Sequence, residues 1–244
     1  MQKPPLLLFF YSLFSSTFLQ AQHYSNDSFA HQPDYQKPLA LYFKALGENA
    51  PLYNGSEYLS YGQNMVGSPF FGSDSMQNAM IDYEGTVYRD IPIWYDLVGD
   101  EVVIKDYGGN YYIKLVKEKL NRFYLLNHEF ILLKPDSLIN NLIEPGFYDR
   151  IYKGNISAFA KRRKTIGYTT GVEKVTYMFN SKTSYFILKE NAWFRITSKA
   201  SLIRPFGNKK NDIRQYYRSN HLNFKKDPEN ALLKIVSYYD QLKK

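Results

Sequence analysis

Asp96, Asp100 and Glu101 fall within six residues of one another, next to Trp94 and Tyr95. Two carboxylates flanking a glycosidic bond can hydrolyse it, one as acid and the other as base or nucleophile. Indole and phenol rings beside them would supply faces on which a sugar stacks. Asp96 shares a strand face with Trp94, which brings that pair within mutual reach. The plainer reading makes these acids surface residues beside the Gly99 turn, with Trp94 covering a sheet. It is the stronger of the two, because adjacency in sequence does not set the carboxylate separation that the reaction requires. Trp94 and Tyr95, with Tyr111 and Tyr112, could equally form a binding face for a sugar or an apolar ligand.

Other chemistries are poorly represented. The chain of 244 residues has no cysteine, which removes disulfides, thiolate metal sites and cysteine nucleophiles. Its four histidines, His23, His31, His128 and His221, are scattered. His128 sits in an Asn-His pair and reads as a turn residue, and His221 reads as a linker between helices. Gly-x-Ser-x-Gly, His-Glu-x-x-His, calcium-loop and phosphate-loop patterns are missing. Neither a metal nor a cofactor is expected.

Charge is more informative. The net value is +8, but its distribution is uneven. Residues 22–149 carry nine basic against seventeen acidic residues, and residues 150–244 carry twenty-one against six. The densest basic run is Lys161-Arg162-Arg163-Lys164, and further cations recur at Lys209, Lys210, Arg214, Arg218, Lys225 and Lys226. Such asymmetry reads as an anion-binding surface, as two parts attracting each other, or as a solvated face that aids solubility. Arg162, Arg163, Lys225 and Lys226 are the candidate binding cations.

The location of the protein narrows the partner. Lys3 precedes an apolar run that extends with interruptions to Leu19, and Ala21 stands immediately before a polar segment. A charged start, a short apolar centre and a small residue at the cut describe a secretory signal peptide, cleaved near Ala21. The run is short of the roughly 20 residues that span a membrane. A periplasmic or extracellular protein seldom meets nucleic acid. Anionic lipid head groups, acidic polysaccharides or an acidic protein fit better.

The elements that would position these residues are mostly strands. After a polar lead-in over 22–50, short apolar and aromatic runs alternate with turn signals across 51–197. Ile91, Ile93, Tyr95 and Leu97 share one face. Tyr-x-Gly-x-x-Tyr recurs from Tyr53, Tyr83 and Tyr107, with a partial copy at Tyr152. In each, the glycine suits a tight hairpin turn and the tyrosines pack across it. Further strands are expected at 147–152, 155–160, 175–179, 184–188 and 193–196, with Asn180-Ser181-Lys182 as a hairpin connection and 164–174 as a flexible loop. Residues 198–244 read as helical. Ser198 to Phe206 forms a short helix, Asn208 caps a second, and Asp227-Pro228-Glu229 starts a third with apolar residues at 232, 235, 236, 239 and 242. The expected fold is mainly β, a curved antiparallel sheet or open barrel with a C-terminal helical segment. The alternative is an α+β arrangement of two small β subdomains.

Four stretches, Leu52-Tyr53-Asn54-Gly55, Gly67 to Phe71, Tyr95 to Ile104 and Leu222 to Asp227, resemble a group of uncharacterised exported proteins from bacteroidete bacteria. The resemblance covers about residues 50–244 and implies export and one continuous module, with no assigned activity or site residue. The expected function is therefore a non-enzymatic binding or interaction protein of the cell envelope with a basic second half. The alternatives are a glycan hydrolase using Asp96, Asp100 or Glu101, and a carrier of an apolar ligand inside the barrel.

Overall fold

The computed structural model of the chain describes residues 45–62, 65–134, 142–171 and 174–242. These fall, apart from Ala45, in the unit Leu46–Lys244. The expected signal peptide and most of the lead-in lie outside the described residues.

Two-residue turns set the path of the chain. Glu84 and Gly85 both have positive φ (50° and 79°), as do Leu126 and Asn127, and Glu190 and Asn191. That backbone matches the right-handed twist of paired strands, so each turn closes a hairpin. The first joins β3 (Gln77–Tyr83) to β4 (Thr86–Asp96), the second β7 (Leu120–Leu125) to β8 (His128–Leu133), and the third β11 (Val175–Lys189) to β12 (Ala192–Ile196). Pro92 is tolerated within β4, where a bulge with Asp90 at φ 54° disturbs the ladder to β3. The expected hairpin at Tyr53 does not form. Pro51–Tyr53 is instead a turn of 3-10 helix leading into β1 (Ser56–Glu57), which pairs with β6 (Tyr112–Lys114).

All the strands belong to one open sheet of 12, ordered β1-β6-β5-β4-β3-β7-β8-β9-β10-β11-β12, with β5 at Glu101–Lys105, β9 at Gly146–Tyr152 and β10 at Ile156–Thr170. β2 (Met65–Val66) lies parallel on β11. The sheet curls until the end of β4 meets β10, five places away in that order, with Lys164 N–H of β10 donating to the C=O of Leu97, the residue after β4, at 3.0 Å. Ser68–Phe71 fills this seam. Phe71 N–H donates to Tyr95 C=O, and the Lys164 ammonium donates to the Ser68 and Phe70 carbonyls at 2.7 Å each. The barrel therefore stays open.

Rings fill the inside of the curve. Tyr95 packs against Phe123, Phe130 and Phe147 with centroids 5.1, 4.8 and 5.9 Å away, and all four side chains are buried. Ile93 and Leu97 join them on the same face, and Trp94 and Asp96 alternate onto the opposite one.

β10 and β11 depart from the sequence reading. They pair without interruption from Ile156↔Lys189 to Thr170↔Val175, so 164–170 is strand rather than loop and Asn180-Ser181-Lys182 is no turn. The register explains the misreading. Ile166↔Phe179 and Tyr168↔Tyr177 lie on one face, while Thr165↔Asn180 and Thr169↔Thr176 lie on the other. Thr165, Thr169, Thr176 and Asn180, which look like turn formers, are cross-strand pairs of one continuous ribbon.

Three helices follow: α1 (Lys199–Ile203), α2 (Lys210–Ser219) and α3 (Pro228–Leu242). Ser198 caps α1 by accepting from Ser201 N–H, and Asp227 caps α3 by accepting from Asn230 N–H at 3.2 Å. Asn208 does not cap α2; Lys209 occupies that position with no side-chain bond, after a kink at Gly207. Leu232, Ile235, Val236 and Tyr239 of α3 pack with Ile156, Ala158 and Ile187 of the sheet. Each such side chain fully buried is worth about 1.5–3 kcal/mol, which anchors the helical layer.

Candidate functional site

The acids at the β4–β5 turn separate into two environments. Asp96 ends β4 and has no exposed surface. Its Oδ1 accepts from Val98 and Gly99 N–H at 2.8 and 3.2 Å, the usual way an aspartate braces the turn that follows it. Its Oδ2 accepts from the Tyr58 and Tyr61 hydroxyls at 3.1 and 2.9 Å. Burial, then the neighbouring carboxylate, pushes both phenols well above their ordinary range. Glu101 stands opposite Asp96 in the ladder and pairs with Lys114 at 3.2 Å. Asp100 turns to the core side. It accepts from the Tyr95 hydroxyl at 2.6 Å, Lys117 at 2.8 Å, Lys161 at 3.0 Å and Phe147 N–H at 3.2 Å. Asp96 and Glu101 thus come together while Asp100 does not, and Asp96 is sealed by four donors.

Of the aromatic candidates Tyr111 is exposed, and the others are occupied. Trp94 stacks on Phe70 with centroids 4.5 Å apart and planes 7° apart, and packs against Tyr112 at 4.7 Å. Its indole N–H donates to the Asp74 carbonyl at 3.0 Å. Tyr95 is 1% exposed and belongs to the core.

The densest basic run is held by its neighbours. Lys161 is buried and donates to Asp100 and to the Phe147 carbonyl. Burial pulls its ammonium below the ordinary lysine value, against the attraction of Asp100. Arg162 bridges the sheet to α3, bonding Asp149 through Nε at 2.9 Å and Glu229 at 2.8 and 3.0 Å. Arg163 pairs with Glu144, and Lys164 serves the seam. His128 opens β8 rather than sitting in the turn, and its Nδ1 lies 2.8 Å from Asp149. Lys225 and Lys226 are exposed in the α2–α3 connection, where their backbone N–H groups donate to Asn223.

A different set of cations converges. Lys199, Ala200, Ser201, Ile203, Arg204, Lys210, Arg214 and Arg218 line an open concavity of about 630 Å³ between α1 and α2. Five of the eight are cationic and none is acidic. Among the described residues none of the five forms an ion pair. Lys210, Arg214 and Arg218 repeat every four residues along α2, which places them in one stripe. Lys199 and Arg204 come from α1 and the turn after it, brought across by burial of Leu202, Ile203 and Phe206 in the helical core. The Lys199 ammonium lies over the Tyr217 ring, 4.5 Å from its centroid. The four acids of this region are engaged elsewhere. Asp212 faces Lys209 at 3.6 Å, Asp227 caps α3, Glu229 meets Arg162, and Asp240 accepts from the Tyr152 hydroxyl and Asn155 N–H at 3.0 Å each. An open site lined by one sign of charge attracts anions. The sequence reading picked out three of its members, Lys210, Arg214 and Arg218, without their four-residue spacing, and missed Lys199 and Arg204.

No group of three or more His, Asp or Glu is placed to hold a metal ion among the described residues, and none of the described helices is long and apolar enough to cross a membrane. Comparison of the chain with protein-family models, curated proteins and solved structures finds no match.

Proposed function

We propose that this chain is an exported, non-enzymatic binding protein of the cell envelope that holds an anionic envelope component at the α1–α2 concavity. The observation that carries the reading is the gathering of Lys199, Arg204, Lys210, Arg214 and Arg218 around one hollow without a carboxylate. Unpaired like charges repel one another, and a bound anion relieves that repulsion. The apolar leader ending near Ala21 supports delivery to a compartment rich in anionic lipids and glycans.

The competing readings have less behind them. Hydrolysis needs a carboxylate that substrate can touch, and Asp96 is closed off by Tyr58, Tyr61 and the turn. A carrier needs an empty interior, and the curve of the sheet is packed with rings.

The test is retention on dextran sulfate compared with neutral dextran, followed as salt is raised. Retention on the sulfated matrix alone, lost progressively with salt, is expected. Equal behaviour on both matrices, or binding indifferent to salt, would refute the reading.

A further inference from the structure

We propose that the α1–α2 concavity takes an organic phosphate, a phosphomonoester or pyrophosphate group borne on a larger apolar or sugar body. The inference rests on the anion-binding reading above and narrows its ligand.

Three features select this chemistry. The first is charge. Lys210, Arg214 and Arg218 rise along α2 in steps of about 6 Å, and like charges so spaced disfavour the helix that carries them. Lys199 and Arg204 add two more cations to the same hollow. A phosphomonoester, with up to two charges on three oxygens, answers this field better than a single carboxylate. The second is donor geometry. Three of the five cations are arginines, whose planar forks grip phosphate oxygens in pairs. The third is size. A hollow of about 630 Å³ is of the scale that holds a whole small molecule, not a bare ion. Ala200 and Ile203 give it an apolar wall against which the body of such a ligand can rest. A phospholipid head group and a soluble phosphate ester present the same chemistry to these residues.

The experiment titrates the protein with inorganic pyrophosphate and with citrate, an anion of comparable charge that has only carboxylates. Pyrophosphate is expected to bind saturably, one per chain, about tenfold or more tighter than citrate. Arg214→Gln with Arg218→Gln should weaken pyrophosphate by about 10–100-fold, the loss expected for hydrogen bonds between charged groups. Lys182→Gln with Lys234→Gln removes the same charge from exposed positions outside the hollow and should change affinity less than about twofold. All four side chains are exposed, and an unchanged melting curve checks the fold. Citrate binding as tightly as pyrophosphate, with both weakened by the arginine changes, would overturn the phosphate assignment and leave the anion site standing. No binding of either, or equal loss from the two double variants, would overturn the site and the proposed function together. Sedimentation with phosphatidic acid vesicles, but not with phosphatidylcholine alone, and release by pyrophosphate supports the site and assigns a lipid source. Pyrophosphate binding without vesicle uptake supports it and assigns a soluble ester.

Discussion

The basic half of the chain contains two kinds of cation. Those on β9 and β10 are matched: Arg150 to Glu129, Lys161 to Asp100, Arg162 to Asp149 and Glu229, Arg163 to Glu144. Those on α1 and α2 are not. The strands bring acids from the first half of the chain against the basic run, so charge there works as internal cement. The helices meet few acids, and those few have other tasks. Local density of Lys and Arg in a sequence therefore points away from the available surface here. The run of four consecutive cations is consumed by the fold, and the sparser spacing every four residues is left facing solvent.

Four measurements would break or sharpen this contrast. The largest effect is expected on the matched side. Arg162→Ala leaves Asp149 and Glu229 without their shared partner, and Asp149 is 2% exposed. Removing one member of a buried pair costs about 3–5 kcal/mol, so the melting temperature should fall sharply; a loss within ordinary surface range would show that the bridge does not hold the sheet to α3. Next is Asp96→Asn. The amide loses acceptor capacity for the Tyr58 and Tyr61 hydroxyls, and about 1–3 kcal/mol of stability should go. Denaturant unfolding measures it, and glycan turnover by the unmodified protein that this change abolished would revive the hydrolase reading.

The third measurement is alkaline stability. Burial first, and nearby carboxylates second, hold the phenols of Tyr58, Tyr61, Tyr95 and Tyr185 above the ordinary tyrosine value of about 10. Above that pH the unfolded chain releases these protons while the folded chain keeps them. Stability is therefore intact below pH 10 and should fall by about 1.4 kcal/mol per pH unit for each such tyrosine. Lys161 and Lys164, both held low by burial, act in the opposite sense on approaching their ordinary value but are two groups against four. Phenolate absorbance from these tyrosines should appear only with unfolding; early ionisation of all of them would contradict their burial. The smallest effect belongs to the unmatched side. Arg214→Gln should stabilise the protein by a few tenths of a kcal/mol at low salt, about 0.2–0.5, by relieving its i,i+4 neighbours. The gain should vanish at high salt. Destabilisation instead would mean that the bond Arg214 donates to Asn211 Oδ1 at 3.1 Å outweighs that relief.

Much of the frame was legible in the sequence. The Tyr83 repeat announced its hairpin because Gly85 accepts positive φ without a Cβ penalty, and Asp227-Pro228-Glu229 announced α3 through a cap, a fixed φ and a charge near the helix dipole. The long β10–β11 pair was hidden because Thr165, Gly167, Thr169, Asn180 and Ser181, which lie along it, are the same residue types that make loops. The Arg162 bridge was hidden for another reason. Its partners lie 13 and 67 residues away, and no local pattern records a contact made by topology. The stripe on α2 was visible in principle as a four-residue period, but Lys199 and Arg204 join it only through packing at the Gly207 kink.

Gly154 links two distant parts of the chain. A β-carbon there would overlap the carboxylate of Asp240, which binds the Asn155 backbone from 85 positions downstream. The bend between β9 and β10 is thus completed by a residue that emerges from the ribosome long after the bend itself. Until α3 docks, water is the acceptor at that corner. Its final shape therefore depends on a contact of long sequence separation, whose loop-closure entropy must be met before the bond forms.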